Sequence, residues 1–154
     1  MTENNAKYAA RDIAKYFAEC GENGFVPITP LKIQKMIYFA QGFYLALNNE
    51  PLIKDDFQAW QYGPVVNNLY WELKTLGSNI VSSAFFGKTE KIDDKTKVFL
   101  DQIWDFLKGY SAIELSKISH DPDGPWEKVY NKTPHGSISH DSMREYFKQF
   151  IENN

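Results

Sequence analysis

The most hydrophobic stretch of the chain, Leu31–Leu47, places apolar side chains every three or four positions. This spacing predicts an α-helix, and additional apolar residues widen its stripe well beyond one narrow face. The preceding Thr29-Pro30 supplies an N-cap and a favoured first helical residue, and Asn48-Asn49 tolerates the backbone of a helix exit. We therefore predict a central helix, surrounded by others, whose apolar positions are Ile33, Met36, Ile37, Phe39, Ala40, Phe43, Tyr44, Leu45 and Leu47.

Apolar periodicity and turn residues divide the rest of the chain into short elements. Alternation of strand-forming residues predicts a strand over Phe57–Tyr62, and two weaker patterns predict strands at Ile80–Phe86 and Ser137–Ser139. Gly21 and Gly24 are expected to end the first helix. Helices are predicted over Lys7–Glu19, Val65–Leu76, Thr89–Gly109 and Asp141–Ile151, with shorter ones that begin at a capping box at Ser111 and near Asp123–Trp126.

These elements predict the fold class. We expect a mainly α protein (α+β with a minor sheet), with about seven helices around the central apolar helix and two or three short strands. A length of 154 residues is typical of one domain, so residues 1–154 are expected to share one core. Aromatic side chains make up 16% of the chain, and such side chains dominate the energetics of both cores and interfaces.

Charge and cysteine content restrict the class of protein. The single Cys20 cannot form an internal disulfide, which favours a reducing compartment. Residues 1–5 lack a basic cluster followed by an apolar run, and polar residues interrupt Ile33–Leu47, so we expect neither a secretory signal nor a membrane span. A net charge of −3 and a pI near 5.6 argue against a general nucleic-acid binder. The sequence therefore predicts a cytoplasmic protein without membrane or nucleic-acid partners.

Candidate catalytic and metal-binding residues do not form a complete set. The three histidines, His120, His135 and His140, could ligate a metal, but no pair has the spacing that places both on one helical face. The sequence Asp121-x-Asp123-Gly124 resembles the opening of a calcium loop, yet Lys132 stands at the twelfth position, where the loop requires Glu. No nucleophile elbow or glycine-rich phosphate loop is present. We expect no enzyme activity, no metal and no cofactor.

Two segments combine residues in an unusual pattern: Leu31-Lys-Ile-Gln-Lys-Met-Ile-Tyr-Phe-Ala-Gln-Gly42 and, after Pro51-Leu52, Ala59-Trp-Gln-Tyr-Gly-Pro-Val-Val66 followed by Tyr70. They resemble the signature of the Panacea (SocA-like) antitoxin domain family, which includes GepA-like phage-associated proteins. A looser match continues to the last helix, so the resemblance covers roughly Thr29–Phe150. Met36 and Phe43 stand where the family commonly has Leu and Trp.

The resemblance implies a helical fold with a small sheet and the role of an antitoxin, encoded by a bacterium or a phage. Its partner would be a cognate protein toxin, neutralised by direct protein–protein binding. The alternative is a proteolytic adaptor or phage-associated protein that acts on a host protease or defence factor. Family members pair with chemically unrelated toxins, so the motif leaves the toxin open, together with the oligomeric state and any regulation of the operon.

The polar residues of the two segments have a structural interpretation, which we favour. Gln34, Lys35 and Gln41 would solvate an exposed edge of the central helix, between its apolar positions. Gly63 would permit a sharp turn, and Pro64 would preset the start of the next helix. In this interpretation the two segments specify the shared fold, and the residues that select the partner lie elsewhere on the surface.

A functional interpretation assigns some of the same residues to a partner-binding groove. Exposed aromatic side chains are the first candidates for such a role because they typically carry interface energy. The predicted groove residues are Gln34, Lys35, Tyr38, Trp60 and Tyr62. Two further candidates, His120 and Trp126, lie in predicted loops or at helix ends, where they either contact a partner or support the fold.

Overall fold

The computed structural model of the chain describes residues 6–152, and within that range the fold is mainly helical. In chain order, the elements are α1 (Ala10–Gly24), α2 (Pro30–Asn48), β1 (Phe57–Trp60), β2 (Gly63–Val66), α3 (Asn67–Leu73), α4 (Asp94–Leu107), α5 (Ala112–Ser119), α6 (Pro125–Tyr130), β3 (Ser137–Ile138) and α7 (His140–Glu152). The strands form one antiparallel sheet in the order β2-β1-β3. The prediction of a mainly α fold with a minor sheet is confirmed.

Helix α2 lies at the centre of the core because it is apolar on nearly every side. It contacts α1, α4, α5 and β2, its most extensive packing is against α7, and residues 32–42 are all buried. The side chain of Thr29 accepts a hydrogen bond from a first-turn N–H at 3.4 Å, and Pro30 follows as the first helical residue. Asn49 ends the helix with φ 56°. Both predicted ends are therefore correct to within one residue.

The sheet is built around a tight hairpin whose second strand was not predicted. Trp60 lies opposite Gly63, so the connection between β1 and β2 has only two residues. The predicted helix Val65–Leu76 is wrong at its start, since the strand continues through Val66 and the helix begins after it. Pro64 is accommodated in β2 because β2 is an edge strand, where a missing N–H is tolerated. The short strand predicted near Ser137 is present as β3.

Helix α1 extends beyond its predicted end. Gly21 lies inside the helix rather than after it, because the chain returns directly against this position: an added Cβ would lie 2.7 Å from the carbonyl oxygen of Val26. The helix ends at Gly24, and Phe25 takes the left-handed conformation with φ 56°. The requirement for glycine at position 21 is thus one of close packing and not of helix termination.

The segment from Ile80 to Phe86 is not the strand that was predicted. Ser83–Phe86 forms a short 3₁₀ turn, and both the N–H and the hydroxyl of Ser83 donate hydrogen bonds to the Glu22 carboxylate, at 2.9 and 2.7 Å. Helix α4 is likewise shorter than predicted, because the Asp93 side chain caps it by accepting a hydrogen bond from a first-turn N–H at 2.8 Å. A side chain of α1 therefore fixes the turn at Ser83, and the local cap at Asp93 sets the start of α4.

The capping box predicted at Ser111 is present at the start of α5. The Ser111 hydroxyl accepts from the N–H of Glu114 at 3.1 Å, and the Glu114 carboxylate accepts from the N–H of Ser111 at 2.9 Å. Reciprocal bonds of this kind satisfy two helix-terminal donors at once.

Among the described residues, none of the helices has the length and hydropathy needed to cross a membrane.

Candidate functional site

Two adjacent polar residues near the start of α2 hold the edge of β2 opposite β1. The Gln34 side-chain amide donates to the carbonyl of Val66 at 3.1 Å and accepts from the N–H of the same residue at 2.9 Å. The Lys35 Nζ donates to the carbonyl of Pro64 at 2.9 Å. Since β1 occupies the other edge of β2, these two side chains supply the hydrogen bonds that a further strand would otherwise make.

The turn of the hairpin is fixed from a second side by α5 and α6. The Ser116 hydroxyl donates to the carbonyl of Tyr62 at 2.6 Å, and the Trp126 indole N–H donates to the carbonyl of Trp60 at 2.7 Å. The two turn residues, Gln61 and Tyr62, nevertheless remain exposed, Tyr62 by 65%. The hairpin turn is therefore an exposed feature whose backbone is held in place by three helices.

A third polar residue of α2, Gln41, pairs with backbone in the same way. Its Oε1 accepts from the N–H groups of Leu52 and Ile53 at 2.7 and 3.1 Å, and its Nε2 donates to the Ile53 carbonyl at 3.3 Å. The prediction that Gln34, Lys35 and Gln41 solvate an exposed edge is wrong, because they are at most 4% exposed. Each is buried with a backbone partner, as buried polar groups require.

Lys35 is an amine buried without a counter-charge. It is fully buried, and within residues 6–152 its Nζ forms no ion pair. It lies beneath the hairpin turn, where a Cβ added to Gly63 would be 2.7 Å from Lys35 Cε and 2.8 Å from the Ser119 hydroxyl. Burial lowers the pKa of Lys35 to about 7, because a low-dielectric environment disfavours the charged form. Burial and the nearby Lys35 also lower the pKa of His120.

The depressed pKa of Lys35 predicts a stability that rises with pH. Between the folded value of about 7 and the ordinary value of 10.5, the unfolded chain binds more protons than the folded chain. We expect the free energy of unfolding to increase by about 1–2 kcal/mol from about pH 7 to about pH 8.5. Urea unfolding followed by tryptophan fluorescence at a series of pH values measures this slope.

The matched variants for this measurement are Lys35→Met and Lys95→Met. Lys35→Met should remove the slope, whereas Lys95→Met, at an exposed position on α4, should retain it. The pH series ends below about pH 9, where the Cys20 thiol of the unfolded chain begins to ionise. Burial raises the pKa of this thiol in the folded chain to about 12, so ionisation in the unfolded chain lowers the free energy of unfolding above that pH. An equal slope in Lys35→Met and in the unsubstituted chain would assign the pH dependence to another group.

The structure places Tyr38, like Lys35, inside the core, where neither side chain reaches the surface. Tyr38 is 1% exposed, and its ring meets the rings of Phe57 and Phe147 edge to face, with centroids 5.4 and 5.7 Å apart. Among the described residues its hydroxyl has no hydrogen-bond partner, and burial raises the pKa of Tyr38. The helical pattern could not reveal this placement, because α2 is buried on every side.

His120 and Trp126 lie behind the hairpin rather than on its exposed face. Trp126 is 8% exposed and stacks on His120, with ring centroids 3.9 Å apart. His120 follows the last residue of α5, and its buried Nε2 has no hydrogen-bond partner in the described part of the chain. Since Trp126 also bonds the carbonyl of Trp60, this stacked pair supports the β1 end of the turn.

An open groove of about 390 Å³ lies beside the hairpin turn, between the start of α2 and the end of α3. Three of the predicted site residues line it: Gln34, Trp60 and Tyr62. Their role as partner contacts stays a prediction. The other side chains that form its walls include Leu31, Val65, Tyr70, Leu73, Lys74 and His135. We call this surface the aromatic groove.

A row of stacked and tilted rings extends along the aromatic groove. Trp60 stacks on His135 with centroids 4.8 Å apart and contacts Tyr70 at 4.7 Å. Tyr70 in turn contacts the ring of Trp71, which is 56% exposed. The Lys74 Nζ lies over the Trp71 ring, 4.5 Å from its centroid. Exposed aromatic residues close to a cavity are typical of protein-binding surfaces.

The three histidines lie in separate places. His135 lines the aromatic groove, with φ 68°, and its backbone N–H donates to the carbonyl of Ala59 at 2.7 Å. His140 is the first residue of α7, and its Nε2 lies 3.9 Å from Oδ1 of Asp56. The residues that the structure describes include no group of three or more His, Cys, Asp or Glu side chains that could hold a metal ion. His135 therefore contributes to the groove as an aromatic surface.

Sequence reasoning missed Tyr70, Trp71 and Lys74 as site residues, and considered His135 only as a metal ligand. Tyr70, Lys74 and His135 reach the aromatic groove from α3, from the turn after it and from the segment before β3, and Trp71 lies beside the groove against Tyr70 and Lys74, so only the tertiary structure brings them together. One signal was available: residues 57–71 contain no charged side chain, although 24% of the chain is charged.

Comparison with known proteins places these features in a family. The family model described as antitoxin SocA-like, Panacea domain, matches residues 33–127, a range that contains the hairpin, α3 and most of α2. The chain is also similar to antitoxin SocA of Caulobacter vibrioides (strain NA1000 / CB15N), with 26% identity over 141 residues, which is 85% of this chain and 75% of that protein. No solved structure matches the chain at a significant level. Since the family model covers more than half of its length, the chain belongs to the family of antitoxin SocA-like proteins with a Panacea domain.

Proposed function

We propose that this chain is an antitoxin that neutralises a cognate protein toxin by direct binding, and that the aromatic groove is the binding surface. The observation that carries the proposal is the row of rings formed by Trp60, His135, Tyr70 and Trp71 beside an anchored hairpin turn, on which Tyr62 is exposed. Family membership supports the antitoxin role, and the position of the hairpin within the matched residues 33–127 supports the surface.

The hairpin meets two physical requirements of a tight interface. Ordering of flexible groups opposes binding, and the turn is already ordered by the bonds from Lys35, Ser116 and Trp126. Large aromatic side chains give the greatest energy per residue when a partner covers them, and Tyr62 on the turn and the neighbouring Trp71 on α3 are more than half exposed. A partner that covers both rings would gain their burial at little cost in backbone entropy.

A non-catalytic role agrees with the chemistry of the side chains. Cys20 is partly buried at the end of α1, and burial raises the pKa of its thiol to about 12, which suppresses the reactive thiolate. Lys35, the most perturbed amine, is enclosed in the core and faces a backbone carbonyl rather than an open cavity. We infer that the chain acts through its surface.

The experiment that tests the function is co-expression with the product of each reading frame adjacent to the gene. We expect one product to arrest growth when expressed alone, and this chain to restore growth and to co-purify with that product. Restored growth without a stable complex, accompanied by protease-dependent loss of the toxin, would favour the proteolytic-adaptor alternative. If no adjacent product is toxic or forms a complex, the antitoxin proposal fails.

Tyr62→Ala is expected to raise the dissociation constant for the toxin by about tenfold or more, because truncation of an aromatic anchor typically costs about 2 kcal/mol. The fold should be unaffected, since the Tyr62 side chain is 65% exposed. Phe25→Ala is the matched control, an aromatic residue that is 93% exposed and lies outside the aromatic groove. Calorimetric titration measures both variants, and an equal affinity for Tyr62→Ala and Phe25→Ala would move the binding surface away from the hairpin.

A further inference from the structure

We propose that the occupant of the aromatic groove is a segment of the partner protein that combines an aromatic or branched apolar side chain with a carboxylate. This inference rests on the proposed function and adds the chemistry of the recognised segment. It follows from two independent properties of the groove, its apolar walls and its lack of negative charge.

The walls of the groove select an apolar side chain. Trp60 and Tyr70 present ring surfaces, and Val65 and Leu73 add aliphatic surface to the walls. A space of about 390 Å³ is at the lower end of the volumes found for binding pockets, and it suits one or two side chains of a peptide rather than a folded element. Burial of apolar surface against these walls would supply the attraction.

The groove lies in the part of the chain that is free of acidic residues. The chain has 20 Asp and Glu residues, but residues 23–49, 57–71, 73–89 and 128–140 contain none. These four stretches supply every residue that lines the groove. Glu72 interrupts them, but its carboxylate pairs with Arg11 at 2.9 Å and is not part of the groove. In a chain with net charge −3, this distribution leaves the groove without a repelling charge for an anion.

Positive groups border the same space. Lys74 lines the groove, and its Nζ lies 4.5 Å from the centroid of the Trp71 ring. The first residues of α2, Pro30 and Leu31, also line the groove, so the N-terminal turn of the longest helix, which contains no acidic residue, borders it. A helix N-terminus carries partial positive charge. A carboxylate next to the apolar side chain of the bound segment would therefore meet complementary charge.

A protein segment fits these features better than a nucleic acid. Stacking on aromatic rings is common to both, but nucleic-acid binding depends on several Lys or Arg side chains that neutralise phosphates. Lys74 alone among the lining residues carries a full positive charge, and the chain as a whole is acidic. One or two carboxylates match this charge, whereas a phosphate backbone exceeds it.

The first test uses the complex with the toxin and a charge reversal. Lys74→Glu should raise the dissociation constant by about fivefold to tenfold at about 50 mM salt, and the effect should shrink at about 300 mM salt. Lys95→Glu, which changes the net charge equally at an exposed position of α4, should change the dissociation constant by less than about twofold. Unchanged or tighter binding by Lys74→Glu would overturn the inference while the proposed function stands.

The second test needs no toxin and therefore separates the inference from the proposed function. Blocked tripeptides with the sequences Phe-Glu-Phe, Phe-Gln-Phe and Phe-Lys-Phe are titrated into the ¹⁵N-labelled chain, and the indole N–H signals of Trp60 and Trp71 are followed. We expect both signals to move, and the Glu peptide to bind at least about threefold more tightly than the Gln peptide, with the Lys peptide weakest. Trp104, at 7% exposed in the core, serves as the unshifted reference.

Two outcomes of the peptide titration and two further observations would overturn the inference. The first is equal affinity for the Glu and Gln peptides. The second is the absence of shifts at about 5 mM peptide, a concentration that would fill most of a site with a dissociation constant of about 1 mM. The further observations are stronger binding of a single-stranded oligonucleotide than of the Glu peptide, and a concentration-dependent dimer that Tyr62→Ala abolishes, since either would identify a different occupant.

Discussion

Replacement of Gln41 by Leu is expected to lower the free energy of unfolding by at least about 3 kcal/mol, because each buried backbone group that loses its partner costs about 1–3 kcal/mol. Three such groups depend on this one amide: the N–H of Leu52, the N–H of Ile53 and the carbonyl of Ile53. Leu is apolar and comparable in size to Gln, so α2 would keep a side chain at this position while the hydrogen bonds are lost. Urea unfolding at constant pH measures the change.

The control for Gln41→Leu is the same substitution at Gln102, an exposed position on α4. Gln102→Leu should alter the free energy of unfolding by less than about 0.5 kcal/mol. The comparison removes any effect of hydrophobicity or helix propensity that the two substitutions share. A loss below about 1 kcal/mol in Gln41→Leu would mean that the backbone of residues 52 and 53 finds other partners, and that Gln41 is not required for the path of the chain between α2 and β1.

The elements that the sequence predicted correctly are those whose ends are set by neighbouring residues. Thr29 and Asn49 determine the ends of α2 through their own side-chain and backbone conformations. Ser111 and Glu114 determine the start of α5 through bonds that span three residues. Such signals lie within a few positions of one another, so they can be read without knowledge of the tertiary structure.

Two of the wrongly predicted segments depend on distant contacts. The strand β2 contains a proline and was expected to begin a helix, but Gln34, 32 residues before Val66, supplies the hydrogen bonds of its outer edge. The carboxylate of Glu22 likewise fixes the turn at Ser83, 61 residues later. Local preference is a weak guide wherever a side chain from another element satisfies the backbone.

The candidate site was predictable only in part for a related reason. Trp60 and Tyr62 alternate along one short segment, and both reach the aromatic groove. The burial of Lys35 could not be foreseen, because a lysine between apolar positions is ordinarily solvated, and the exception here depends on the Pro64 carbonyl. The contribution of His135 depends on a segment more than 70 residues from the hairpin turn, whose position no local pattern specifies.

The polar positions of α2 share one function that the helical pattern conceals. A helix buried on all sides must meet backbone as well as side chains, and backbone groups require hydrogen bonds. Gln34 and Lys35 face β2, and Gln41 faces the segment after the helix. The adjacent Gly42 meets a third kind of neighbour, an aromatic ring, and its lack of a side chain is as specific a requirement as the amides of the glutamines.

Gly42→Ala is expected to lower the free energy of unfolding by about 2–3 kcal/mol, against the gain of about 1 kcal/mol that Ala usually brings to a helix interior. An added Cβ would lie 2.1, 2.2 and 2.6 Å from three ring carbons of Phe147, far inside contact distance. The ring cannot move aside, because it is 1% exposed and packs against Tyr38, Phe39 and Phe43. The clash therefore outweighs the helix propensity. Gly109→Ala, at a position with no atom within 4 Å of the added Cβ, should change stability by less than about 0.5 kcal/mol.

A double-mutant cycle identifies the ring as the cause. Phe147→Leu removes the ring carbons that the new methyl group would meet, while an apolar side chain still covers α2. If the clash is local, Gly42→Ala combined with Phe147→Leu should be more stable than the sum of the two single losses by at least about 1 kcal/mol. Additive losses would instead show that Gly42→Ala acts through the backbone of α2. Since α7 is the most extensive neighbour of α2, that result would also displace Gly42 as the residue that sets the distance between these helices.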